Sequence, residues 1–203
     1  YISVAYTIGM TNGISATAFA PNNYATRAQA AAMLVRIYEK LNRKTQWVHG
    51  FYAISSYSQL SLADSMDAVS AGWSRMTWDG SAAKLSTTSA NQNEYYVPSG
   101  YQEVTDRLQS RGTALNLEVY MDTSGGLREM LASAEGRSQA VEQIMEELTV
   151  SYNAIGRNPY SGVTVDFEGL RAAQREDFTA FLQELAASVH QRGKTLYVCV
   201  APV

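Results

Sequence analysis

Tyr160-Ser161-Gly162-Val163-Thr164-Val165-Asp166-Phe167-Glu168-Gly169 is the stretch on which the fold and the chemistry turn. Successive side chains of a strand point to opposite faces, so a period of two divides it. Val163, Val165 and Phe167 form an apolar face suited to packing under helices. Thr164, Asp166 and Glu168 form a polar face directed to the inside of a sheet. Two carboxylates at the end of a strand are costly to bury without a task. Neighbouring acids also push each other's protonation apart, which keeps one of them an acid near neutral pH. The plain alternative is a strand end whose acids face solvent or cap the next helix.

Outward from this stretch, short strands alternate with helices. The pattern predicts strands at 47–53, 73–77, 114–121, 161–167 and 195–200, and helices near 101–110, 136–153 and 174–191. Residues 79–100 show no clear period and read as a long excursion after the second strand. Strand–helix alternation implies a parallel sheet, because parallel strands need crossover connections. The expected class is α/β, a (β/α)8 TIM-type barrel with about its first five strands present over 46–203. A complete barrel takes eight strands and about 250 residues. A five-stranded open sheet is the alternative, and it leaves an apolar edge exposed. In such barrels active sites lie at the C-terminal ends of the strands, where Asp166 and Glu168 fall. With no starting Met and no leader, the chain reads as an internal piece, expected to be inactive alone and to self-associate through its edge.

Residues 1–45 have a different texture, small and Ala-rich. Thr26-Arg27-Ala28-Gln29 fits a capping box. Ala30, Met33, Leu34, Ile37, Tyr38 and Leu41 follow on one helical stripe. Residues 42–46 read as a polar linker.

Composition narrows the classes. Of 203 residues 46% are hydrophobic and 17% charged, which is globular rather than disordered. A formal net charge of −3 argues against a nucleic-acid partner. No apolar run reaches the roughly 18 residues needed to cross a bilayer. The single cysteine, Cys199, makes no intrachain disulfide, and with only His49 and His190 no metal or cofactor is called for.

Gly162, Asp166, Phe167 and Glu168 carry a resemblance to the fourth-strand motif of family 18 glycoside hydrolases, commonly Asp-Gly-x-Asp-x-Asp-x-Glu. The stretch is most similar to the spore-germination and cortex-lytic branch. Ser161 and Thr164 replace the motif's first Asp and its second Asp or Asn. The ending Val200-Ala201-Pro202 strengthens the likeness, which covers about 46–203. It implies a substrate-assisted, retaining glycosidase, an exception to the two-carboxylate scheme. Glu168 would be the general acid and then base. Asp166 would orient and polarise the substrate's acetamido group, and Thr164 would at most hydrogen-bond Asp166. The implied substrate is an N-acetylglucosamine polysaccharide, peptidoglycan or spore cortex first and chitin second. The alternatives are a glycan-binding barrel without catalysis and a structural wall protein.

Other substrate-contact candidates follow. Phe51 and Tyr52 end the first strand, where the family places a sugar-lining aromatic; ordinary core is the other reading. Trp78, before Asp79-Gly80, either stacks on a sugar ring or packs. Asn116, Glu118 and Tyr120 share a strand face, so Glu118 points inward, either beside the site's acids or as a buried charge with an unseen partner. Asp122 reads as solvent-facing and Cys199 as a small buried hydrophobe.

Gly9-Met10-Thr11-Asn12-Gly13, Phe19-Ala20-Pro21 and Thr26-Arg27-Ala28-Gln29 look like an S-layer homology repeat. That resemblance implies affinity for an anionic secondary cell-wall polymer, with Arg27 as the basic contact. Together the two resemblances imply a secreted protein at the cell wall or spore surface.

Overall fold

The computed structural model describes residues 1–15, 17–43 and 45–200. Ala201-Pro202, part of the family-like ending, lies outside them. The chain divides into two units, Tyr1–Gln46 and Trp47–Val203.

The first unit holds α1 (Ile2–Thr7) and α2 (Arg27–Leu41). The capping box closes as its residues dictate. Gln29 N–H donates to Thr26 Oγ1 at 3.2 Å, and Thr26 N–H donates to Gln29 Oε1 at 2.8 Å. The apolar stripe of α2 is not buried within this unit. Met33 and Ile37 are half-covered, while Leu34, Tyr38 and Leu41 are exposed. A unit this small has too little chain to enclose both sides of a helix.

The second unit is a twisted run of parallel strands. These are β1 (His49–Tyr52), β2 (Ala68–Trp78), β4 (Ala114–Met121), β5 (Gly162–Phe167) and β6 (Thr195–Val198), in the order β1-β2-β4-β5-β6. β3 (Ala83–Ser86) pairs antiparallel with the end of β2. Helices α3 (Tyr101–Arg111), α4 (Leu127–Ala132), α5 (Ala134–Glu147) and α6 (Arg175–Gln191) supply the crossovers, and a 3-10 segment over Ile54–Ser65 links β1 to β2. This is half of a (β/α)8 barrel.

Several elements differ from the sequence expectation. β2 begins at Ala68, five residues early, because Ala68–Ala71 are held between β1 and β4 by ladder bonds that small residues do not advertise. The 79–100 excursion opens with a hairpin turn, in which Asp79 Oδ1 accepts from the Ser81 and Ala82 N–H groups. α5 stops at Glu147, short of 153, and the chain then turns through Gly156 at φ 66°.

The two faces of β5 sort as the period of two requires. Val163 and Val165 are fully buried, and the Phe167 ring lies 5.2 Å from that of Phe181 on α6. The inward face is polar: Ser70, Asn116, Glu118 and Thr164 are all buried there. Ordinary parallel barrels fill this space with branched apolar side chains. Gly162 is dictated by close approach, since a Cβ there would lie 2.2 Å from the Thr195 carbonyl oxygen.

Candidate active site

Registry across the sheet decides which side chains meet. Glu118 on β4 stands level with Thr164 on β5 and Tyr197 on β6, and Tyr120 stands level with Asp166. The inward face therefore rises in layers toward the C-terminal end. In the lower layer Thr164 does not turn to the acids. Its Oγ1 lies 2.5 Å from Ser70 Oγ, which in turn lies 2.7 Å from His49 Nε2. His49 is thus an inward residue.

Glu118 shares this layer, and Asp166 and Glu168 stand above it at the end of β5. Glu118 is only 7% exposed, Asp166 is half-buried and Glu168 is exposed at the strand's end. Registry places Glu118 one layer below Asp166, on the neighbouring strand. Burial first, and then the Asp166 and Glu168 charges, push Glu118 up to about 7. Burial first, and then the Asp166, Glu118 and Glu168 charges, push the Cys199 thiol up to about 12. Cys199 is half-buried, not the fully buried residue that alternation implied.

Glu168 is held by its backbone: its N–H donates to the Met121 carbonyl at 2.9 Å. Gly169 follows at φ 77°, and its carbonyl accepts from Arg128 Nη2 at 2.9 Å. The chain thus turns immediately after the acid, leaving its side chain free at the rim.

A cleft of about 710 Å³ opens beside Glu118. Phe51, Tyr52, Ile54, Tyr95 and Tyr96 line it, with Gly72 beneath. Phe51 is 59% exposed and shares its strand face with His49, whereas Tyr52 turns into the core against Trp73. A Cβ on Gly72 would lie 3.6 Å from Glu118 Oε2 and 3.7 Å from the Tyr95 ring, so the absent side chain keeps the cleft open to the acids. Trp78 stands apart from this group. It ends β2 and packs at Gly126, where a Cβ would come within 3.4 Å of its Cδ1. Arg27 lies in the other unit, exposed at the first position of α2.

The sequence reading missed the wall of the cleft. Tyr95 stacks on Tyr120 with ring centroids 4.2 Å apart, and Arg75 lies over the other ring's centroid at 5.4 Å. Asp122 is not a free surface acid. It pairs with Arg75 at 3.2 Å, accepts from Tyr120 Oη, and caps the following turn through the Ser124 and Gly125 N–H groups. The available signal was the Tyr95-Tyr96 pair, set in a loop otherwise rich in Asn, Ser and Gln. Among the described residues, no group of three or more His, Cys, Asp or Glu is arranged to hold a metal ion. No helix of the described residues is long and apolar enough to cross a membrane.

No protein-family model and no curated protein matches the chain. Solved structures do. A class V chitinase of Pseudomonas fluorescens superposes with a TM-score of 0.59 at 20% identity over 78% of this chain. A chitinase of Chromobacterium violaceum gives 0.55 at 24% over 76%. A glycoside hydrolase family 18 N-acetylglucosaminidase of Paenibacillus barengoltzii gives 0.53 at 12% over 75%. In each case the chain spans 45% of the solved protein. The likeness is one of fold: the second unit has the half-barrel architecture of family 18 domains.

Proposed function

We propose that the barrel unit carries the acid half of a glycosidase site acting on N-acetylglucosamine-containing polysaccharide. The observation that supports this best is the convergence of Asp166 and Glu168 at the C-terminal rim of β5, beside an aromatic-walled cleft. Glu168 has the free side chain and rim position of a general acid and base. Asp166, half-buried behind it, is placed to accept a hydrogen bond from an acetamido N–H and turn the acetamido oxygen toward the anomeric carbon. Thr164 is engaged with Ser70, so it contributes to the barrel floor rather than to substrate. Phe51, Tyr95 and Tyr96 offer ring faces and edges of the kind sugars stack on, while Tyr52 belongs to the core behind them. Glu118 supports the acids from below, and Trp78 is left a packing role.

The neighbours in fold include chitinases and an N-acetylglucosaminidase, which keeps chitin beside peptidoglycan as substrate. The spore-cortex branch rests on the residues of 162–168 alone. For the first unit we propose attachment to an anionic wall polymer, which would put the protein outside the cell. Arg27 supports it: a cation in the first turn opposes the helix dipole, so helix stability does not account for it.

Substrate assistance is tested with the full-length gene product on chitin oligomers, peptidoglycan and glucose oligomers, following the first-formed anomer by proton NMR. We expect cleavage only where an acetamido group is present, with retained configuration. An inverted first product, or equal cleavage of glucose oligomers, would contradict the mechanism. Binding without cleavage would favour a lectin built on the same barrel, a role to which the losses at Ser161 and Thr164 lend themselves.

A further inference from the structure

We propose that Arg75 and Asp122 are positioning residues of the cleft: acting through Tyr120, they hold the Tyr95 ring in place before any ligand arrives, as a platform for a sugar ring that carries no charge. The inference rests on the reading of the cleft as a glycan site and deepens it.

Arg75 meets Tyr120 because β2 is irregular. β2 and β4 run level from Ala68 with Ala114 to Ala71 with Leu117. The register then shifts across Gly72-Trp73, so that Arg75, and not Ser74, stands level with Tyr120. A shift of this kind re-aims the side chains that follow it. On the other side of β4, Tyr120 is level with Asp166. Tyr120 is therefore the residue of the sheet between the arginine and the acid.

Both the ring and the hydroxyl of Tyr120 are held. Arg75 Cζ lies 5.4 Å from the ring centroid, a cation–π distance. Arg75 Nη2 and Tyr120 Oη both donate to Asp122 Oδ2, each at 3.2 Å. Asp122 is held in turn, because its Oδ1 accepts from the Ser124 N–H at 2.8 Å and the Gly125 N–H at 3.0 Å. Onto this fixed ring Tyr95 stacks at 4.2 Å, with 5° between the planes. Its backbone is tied to Asn93, whose Oδ1 accepts from the Tyr95 N–H at 3.0 Å and whose Nδ2 donates to the Tyr95 carbonyl at 2.6 Å. An aromatic side chain on a loop ordinarily loses freedom when a ligand stacks on it. One already ordered by the protein does not, and binding is tighter by that difference.

The lining of the cleft sets the chemistry of the ligand. Tyr95 faces it together with Phe51 and Tyr96. The negative face of an aromatic ring attracts the C–H face of a pyranose. Among the described residues that line the cleft, none is Lys, Arg or His, and its two carboxyl groups are Glu94 and Glu118. Arg75 offers no free charge either, since Asp122 engages it. A carboxylate on the ligand would meet like charge and no cation, an arrangement that rejects it. An uncharged ring such as N-acetylglucosamine meets no such penalty.

The test is NMR of the full-length protein with 13C-labelled tyrosine, the Tyr95 ring assigned from Tyr95→Phe. In free wild type the Tyr95 ring signals should already carry the ring-current shift of a stacked aromatic, and millimolar N-acetylglucosamine should move them. N-acetylmuramic acid, a similar ring bearing a carboxylate, should leave them unmoved at the same concentration. An equal response to both sugars would overturn the charge rule. Tyr95 signals without that shift in the free protein would overturn the positioning, whether or not any variant folds. Arg75→Met and Asp122→Asn each break the ion pair at nearly constant size. We expect both to lose the ring-current shift and to raise KM for N-acetylglucosamine oligomers about 3–10-fold with kcat held. Arg75→Lys, which keeps a cation for Asp122, should recover part of that loss. A lowered kcat with KM unchanged would put the pair behind Asp166 instead and overturn the platform. A Tyr95 ring that is stacked in the free protein but answers to neither sugar would contradict the glycan reading of the cleft, an outcome distinct from an unstacked ring.

Discussion

At the scale of the residue, Gly162 and Glu118 show two ways in which a position is constrained. Gly162 is constrained by backbone: a methyl group there meets the Thr195 carbonyl at 2.2 Å. Gly162→Ala should therefore cost on the order of 1–3 kcal/mol by overpacking, read as a lowered denaturation midpoint; an unchanged midpoint would contradict the close β5–β6 approach. Glu118 is constrained by its neighbours, and that is why its role was only half legible. Period two showed that Thr164, Asp166 and Glu168 share a face and that Glu118 points inward. It could not show that Thr164 would turn to Ser70 rather than to the acids, since that meeting depends on registry between strands far apart in sequence.

At the scale of the element, the helices with clear apolar stripes were the most legible. α6 runs over Arg175–Gln191, against an expected 174–191, and buries Phe181, Leu185 and Val189. Phe181 anchors it, with its ring against Phe167 and its side chain fully buried. Phe181→Ala should lower stability by about 3–5 kcal/mol in chemical denaturation, through lost burial and the cavity left behind. A loss under about 1 kcal/mol would mean that α6 is not packed on the back of β5 as described. Short elements held by their partners escaped the sequence. β3 exists because Asp79 nucleates a turn, its carboxyl held well below the usual range first by Lys84 and then by the Ala82 and Ser81 N–H groups. α4 lies between two turns, too short to display a period.

At the scale of the molecule, the barrel half and the Ala-rich unit before it are separate bodies with separate proposed tasks. The half-barrel was readable because strand–helix alternation and a paired-acid strand end agreed on a single architecture. The aromatic wall was not, because Tyr95 and Tyr96 come from a loop without a period, held by Asn93 side-chain bonds to the Thr88 and Tyr95 backbones and by the stacking of Tyr95 on Tyr120. The polar interior, from His49 and Ser70 up to Glu118 and Asp166, departs from the apolar filling of an ordinary barrel. It gives the acids at the rim a hydrogen-bonded floor instead of a greasy one. That arrangement suits chemistry that moves protons between fixed oxygens.

The most direct measurement counts reducing ends released from chitin oligomers and from peptidoglycan by the full-length protein and by its Glu168→Gln variant. Glu168 is exposed, so the substitution should leave the fold and its melting temperature intact. We expect turnover by wild type on at least one of the two substrates and a loss of roughly 10²–10⁴-fold in the variant, the usual worth of a general acid–base. Equal turnover by the two proteins, or none by wild type on either substrate, would contradict the assignment of this rim as a glycosidase site.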